Sequence, residues 1–105
     1  MMDYKIIVTK SAEEDLERFI QYLVYEKGSH QAARNLLDDF SDTQYQLSIS
    51  AGSLQLCENP RLRVLGYRRI RFIRHRYYML YRIVGDTVII EKIFHQLQDY
   101  ENKIG

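Results

Sequence analysis

The sequence has no tryptophan, one cysteine, one proline and three histidines, and each shortage closes a class of explanation. With Cys57 alone, neither an internal disulfide nor a cysteine-based zinc site can form, and a free thiol suits a reducing compartment. His30, His75 and His95 are scattered without ligand spacing, so no metal site is expected. No stretch approaches the roughly 20 apolar residues that span a bilayer. The start, Met1-Met2-Asp3-Tyr4-Lys5, runs into a strand-like segment without the regions of a secretory leader. Phosphate loops, nucleophile elbows and paired-cysteine motifs are missing too. The expectation is a soluble, cytoplasmic protein with no cofactor and no membrane contact.

The most informative absence is of acid. From Arg61 to Gly85 there are eight arginines and no aspartate or glutamate. All 14 acidic residues lie elsewhere, beside the other seven of the 15 Lys+Arg, so a formal net charge of +1 conceals a split of +8 against −7. Such segregation suggests a polyanionic or acidic partner for one face, against the plainer alternative of a solvated basic surface.

What is present is a core. The chain has 105 residues, 46% of them hydrophobic, which fits one domain spanning residues 1–105 and argues against disorder. Nine tyrosines and four phenylalanines supply the large apolar contacts.

Residues Tyr4 to Thr9 are a short β-branched run, predicted as a first strand. Ser11 with Glu14 three residues on is a capping-box signature, and Glu13, Glu14 and Asp15 suit the positive end of a helix. Leu16, Phe19, Ile20, Leu23 and Val24 form one helical stripe, which Gly28 ends. Ser29 can cap a second helix from about Gln31 to Ala51, with Ala33, Leu36, Leu37, Phe40 and Leu47 on one side and Gly52 as its stop. Two helices joined by Gly28-Ser29 must fold back as a hairpin. Residues Ser53 to Gly66, with Pro60, carry no sustained period and read as a loop. Strands are predicted over Tyr67–Arg74, Tyr77–Val84 and Thr87–Phe94, the last two joined by Gly85-Asp86. His95 to Ile104 is polar, with room for a short helical turn. The order is β-α-α-β-β-β, an α+β fold: a helical hairpin packed on a mainly antiparallel four-stranded sheet, its other face left open for arginines.

Arg69 and Arg71 are two apart on one strand, so they leave the same face about 6–7 Å apart, a spacing close to that of successive phosphates. Arg82 joins them if the register allows. Arginine's planar fork suits phosphate and carboxylate, and Tyr67, Tyr77, Tyr78 and Tyr81 interleave with the charges as in RNA or single-strand binders. Alternatively Tyr81 and Met79 are core and the arginines meet acids of a protein partner. His95, at the end of the last strand and followed by Gln96, Asp99 and Tyr100, is a candidate general acid or base, although a lone histidine there is more often structural. His75, between arginines in a turn, reads as electrostatic decoration.

The runs Gly66-Tyr67-Arg68-Arg69-Ile70-Arg71-Phe72 and Tyr77-Tyr78-Met79-Leu80-Tyr81-Arg82-Ile83, the hairpin Gly85-Asp86-Thr87-Val88 and the ending Ile93-Phe94-His95-Gln96-Leu97-Gln98-Asp99-Tyr100-Glu101 resemble RelE/ParE toxins. The resemblance implies the toxin of a type II toxin–antitoxin module, of the kind linked to plasmid stabilization, which inhibits growth until a cognate antitoxin binds it. RelE-like members are metal-independent endoribonucleases that cut messenger RNA on the ribosome, where a 2′-hydroxyl attacks and positive groups hold the developing charge. ParE-like members poison DNA gyrase. On the first reading His95, Tyr100 and Arg71 are catalytic, with Arg68, Arg69, Arg74, Arg76, Tyr78, Arg82 and Gln96 binding nucleic acid or target. Tyr78 and Gln96 stand where RelE-like relatives carry arginines, and the Phe-His-x-x-x-Asp ending is closer to ParE. The mixture of aromatic and basic groups inclines the expectation to messenger-RNA cleavage, with gyrase inhibition or a non-catalytic nucleic-acid-binding module as alternatives.

Overall fold

The computed structural model describes residues 3–98. β1 (Lys5–Val8) leads through Thr9 into α1 (Lys10–Gln21), and a wider helical turn, Tyr22–Glu26, carries the chain to Gly28. α2 (His30–Ser50) runs back, followed by a short turn (Ala51–Ser53), a five-residue helix α3 (Pro60–Val64), and strands β2 (Arg68–Arg71), β3 (Tyr77–Val84) and β4 (Thr87–His95). The sheet order is β1-β4-β3-β2, with β1 parallel to β4 and the other pairs antiparallel. This is the expected α+β arrangement, a helical pair on a four-stranded, mainly antiparallel sheet.

Local chemistry explains where the elements begin. Ser29 Oγ accepts the Ala32 amide at 3.0 Å and caps α2 as its position predicts. The cap of α1 is Thr9, not Ser11: Thr9 is extended and its Oγ1 accepts the Ala12 amide at 3.2 Å. The helix thus starts directly after β1, which moves Asp15 out of the first turn and into the interior. Asp15 is 4% exposed; its Oδ2 accepts the Ile93 amide of β4 at 3.0 Å, and its other oxygen meets Arg18. An aspartate expected to serve the helix dipole instead ties α1 to the sheet.

Alternation on β3 divides the sheet. Met79 and Tyr81 are buried under the helices with Leu36, Leu47, Phe72, Val88, Ile90 and Ile93, while Tyr77 and Ile83 pack against that core. The Tyr81 hydroxyl donates to the Ala51 carbonyl at 2.9 Å, and burial raises its phenol above the usual range. On the opposite face the expected open surface is partly roofed. Asn59 caps α3, Pro60 opens it, and Leu62 closes a second small core with Cys57, Leu80 and Phe94. One helical turn is too short to show a period, which is why residues 53–66 read as loop. No helix among the described residues is long and apolar enough to cross a membrane.

Candidate functional site

β2 lies at the sheet edge with Arg69 opposite Leu80 and Arg71 opposite Tyr78, so both arginines leave on the face away from the helices. Both are exposed. The Arg69 guanidinium sits 4.9 Å from the centroid of Tyr78, and that ring stacks on Phe94 with centroids 5.5 Å apart and planes 17° from parallel. A layered cation–aromatic–aromatic stack results, anchored at its base by the buried Phe94. Tyr78 therefore serves as the shelf on which Arg69 rests.

Arg82 shares this face but is committed. A bulge in β4 separates the pairs Leu80↔Lys92 and Tyr81↔Ile90, leaving Glu91 as the extra residue. Arg82 Nε donates to Glu91 Oε2 at 2.6 Å, and that carboxylate raises the arginine's basicity. Burial, reinforced by the hydrogen bond and charge of Glu91, raises the phenol of neighbouring Tyr67 despite the opposing pull of Arg82. Arg68 points the other way, to the side of Tyr81; its Nε and Nη1 are buried without a hydrogen-bond partner.

The connection from β2 to β3 holds the remaining basic candidates. Phe72 donates to the Tyr77 carbonyl at 2.8 Å, closing a loop over residues 73–76. Arg74 is paired with Asp42 of α2 at 2.8 Å, which raises its pKa, whereas Arg76 is exposed at the loop's far side. His75, expected to be decoration, lies with Nδ1 2.6 Å from Oδ2 of the fully buried Asp39. The same oxygen accepts the Arg74 amide at 2.9 Å. Burial alone would raise the Asp39 carboxyl, but the hydrogen bonds from His75 and the Arg74 amide outweigh it and hold the group below its ordinary value. The carboxylate is thus ionised and the hydrogen resides on His75 Nδ1.

His95 stands elsewhere. It pairs with Tyr77 across β3 and β4, and the two rings meet edge-on at 4.9 Å. Tyr77 belongs to the helix-side core and touches Phe19 and Phe72. The Leu97 amide donates to His95 Nδ1 at 3.1 Å, so the neutral ring carries its hydrogen on Nε2. Gln96 is exposed, its amide donating to the Arg76 carbonyl at 2.8 Å. Asp99 and Tyr100 lie outside the described residues.

The structure therefore brings Arg69, Arg71 and Tyr78 together, adds Arg82 as a neighbour held by Glu91, and sets His95 and Arg68 on the helix side of the sheet. No group of three or more His, Cys, Asp or Glu among the described residues could hold a metal ion. Sequence reasoning missed Asp39, Thr43 and Glu91. The first two left a signal: Asp39 and Thr43 fall on the buried side of α2 among Leu36, Phe40 and Leu47, where a polar residue needs a partner. Glu91 left none, since only the bulge turns it toward Arg82.

No curated protein matches the sequence significantly. Among solved structures, the chain is similar to one described as the chromosomal ParDE toxin–antitoxin system from P. aeruginosa, with a TM-score of 0.71 and 20% identity over 88% of this chain and 95% of that one. It is also similar to one from the RelBE2 toxin–antitoxin complex of Mycobacterium tuberculosis, with a TM-score of 0.57 and 22% identity over 89% of this chain and 98% of that one. These likenesses establish the fold. The sequence itself matches the family described as ParE toxin of type II toxin–antitoxin system, parDE, over residues 6–100. That match covers almost the whole chain, and the protein belongs to the ParE toxins of the RelE/ParE superfamily.

Proposed function

We propose that this toxin inhibits growth by binding DNA gyrase through the surface around Arg69 and Arg71, and that a cognate antitoxin neutralises it. The observation that carries this reading is the division of the candidate residues between two faces. Arg69 and Arg71 leave β2 on one side, and His95 leaves β4 on the other, against Tyr77. A cutting site needs base, nucleophile and charge-stabilising groups round one reacting atom. A binding surface needs only charge and shape. Membership of the ParE family points the same way. The solved relatives come from toxin–antitoxin systems, which supports an antitoxin as partner here.

One feature favours messenger-RNA cleavage as a second reading: the Arg69–Tyr78–Phe94 stack is the kind of platform on which a nucleobase lies. One experiment separates the two. Purified toxin should inhibit gyrase supercoiling and, when induced without antitoxin, evoke the DNA-damage response with messages intact. Ribosome-dependent cuts in messenger RNA, with gyrase unaffected, would establish the nuclease instead.

A further inference from the structure

The loop over residues 73–76 takes its shape from α2. Its backbone donors need acceptors, since an unpaired buried N–H is a rarity in folded proteins. Thr43 Oγ1 accepts the Ile73 amide at 3.2 Å, and Asp39 Oδ2 accepts the Arg74 amide at 2.9 Å and binds His75 at 2.6 Å. The acceptors are joined to each other, because the Thr43 hydroxyl donates to Asp39 Oδ1 at 3.3 Å. Asp42, one turn along the exposed side of α2, holds the Arg74 guanidinium at 2.8 Å. Asp39 and Thr43 are both 0% exposed.

A buried carboxylate is expensive unless it is fully paired, and a threonine or alanine would fill such a core position more simply. The chain nevertheless places an ionised group there and spends its hydrogen bonds on a loop that carries Arg74 and Arg76 and directly follows Arg71. Helix α2 and the loop that follows the arginine strand are thereby joined by hydrogen bonds and an ion pair.

We propose that Asp39 is a positioning residue, with Thr43 as its support: together they lock the loop after β2 and so fix where Arg71, Arg74 and Arg76 stand for the toxin's target. This inference rests on the reading that the arginine surface meets gyrase. The residues touch no target themselves and act only through the loop. Electrostatic registration is the benefit, because a guanidinium displaced by an ångström or two loses most of its directional hydrogen bonding.

The test pairs amide hydrogen exchange with gyrase inhibition, using the full chain and purified gyrase. In Asp39→Ala, exchange at Ile73 and Arg74 should quicken at least about tenfold while the amides of β3 and β4 stay protected, and the toxin concentration for half-inhibition should rise about tenfold. Thr43→Val removes the hydroxyl with little change of shape; it should quicken Ile73 and raise the half-inhibition concentration about threefold. Thr43→Ser keeps the hydroxyl and should match the unmodified toxin, which a purely volumetric role for Thr43 would not allow. If Asp39→Ala does not fold, the Thr43 pair decides. Unchanged exchange at Ile73 and Arg74 overturns the lock. Quickened exchange with unchanged inhibition, where Arg69→Ala/Arg71→Ala does weaken inhibition, overturns the positioning role alone. If that arginine double variant inhibits gyrase undiminished, the reading beneath it is what fails, and the inference falls with it.

Discussion

The two faces of the sheet are built from similar residue types but to different ends. On the helix side, eleven buried residues among those described form one core. Beside it the buried Asp39 and Thr43, like the Tyr81 hydroxyl within it, are hydrogen-bonded, whereas the buried Nε and Nη1 of Arg68 are not. On the other side, four buried residues among those described make a small core under one turn of helix, and beyond it Arg69 and Arg71 stand exposed. The difference separates a face that buries the main core from one that leaves charge exposed. A face roofed by two helices excludes water and can hold an ionised aspartate. A face roofed by five residues leaves Arg69 and Arg71 exposed while still giving Tyr78 a buried partner in Phe94.

Substitutions that cut into one face at a time should expose this contrast. The largest effect is expected from Leu47→Ala on the helix side, where no rearrangement of the surface can fill the void; a loss of about 2–5 kcal/mol should appear in urea unfolding. Leu62→Ala, beneath the short α3, should lose about 2 kcal/mol, at the low end of that range because the roof can settle. Equal losses at the two sites would erase the contrast.

The next effect is a matter of pH. Asp39 has a folded-state pKa below its ordinary 3.8, so its contribution is complete above that value and disappears as pH falls through the lower, folded one. Asp39→Asn should therefore be less stable than the unmodified protein at neutral pH by about 1 kcal/mol, and the gap should close in unfolding curves taken below about pH 4. Smaller still is Arg82→Ala. The pair with Glu91 is partly solvated, so the change in unfolding midpoint should be smaller than that for Asp39→Asn and should shrink in high salt.

Much of this contrast was legible in the sequence, and its failures have physical reasons. β3 over Tyr77–Val84 and the turn at Gly85-Asp86 were readable because alternation and a hairpin dipeptide agree. Ser29 was readable as a cap because a glycine stands before it. The basic face was readable from the missing acids, and the side of Arg69 and Arg71 from a spacing of two. The commitment of Arg82 to Glu91 was not, because a bulge shifts register by one residue and leaves no mark on composition. Nor was the meaning of Asp39 or His75: a buried carboxylate and its histidine lie far apart in the chain and meet only when α2 crosses the loop after β2. α3 was hidden by its brevity, and with it the fact that the arginine face has a core of its own.

The central claim is that the outer face of the sheet recognises the target and the helix side supports it. The most direct measurement is gyrase supercoiling inhibition by Arg69→Ala/Arg71→Ala beside His95→Ala, with unfolding curves for both. The account predicts that the arginine variant loses inhibition at least about tenfold while both variants remain folded with cooperative unfolding curves, and that His95→Ala still inhibits. Full inhibition by the arginine variant, or its loss in a stably folded His95→Ala, would contradict it.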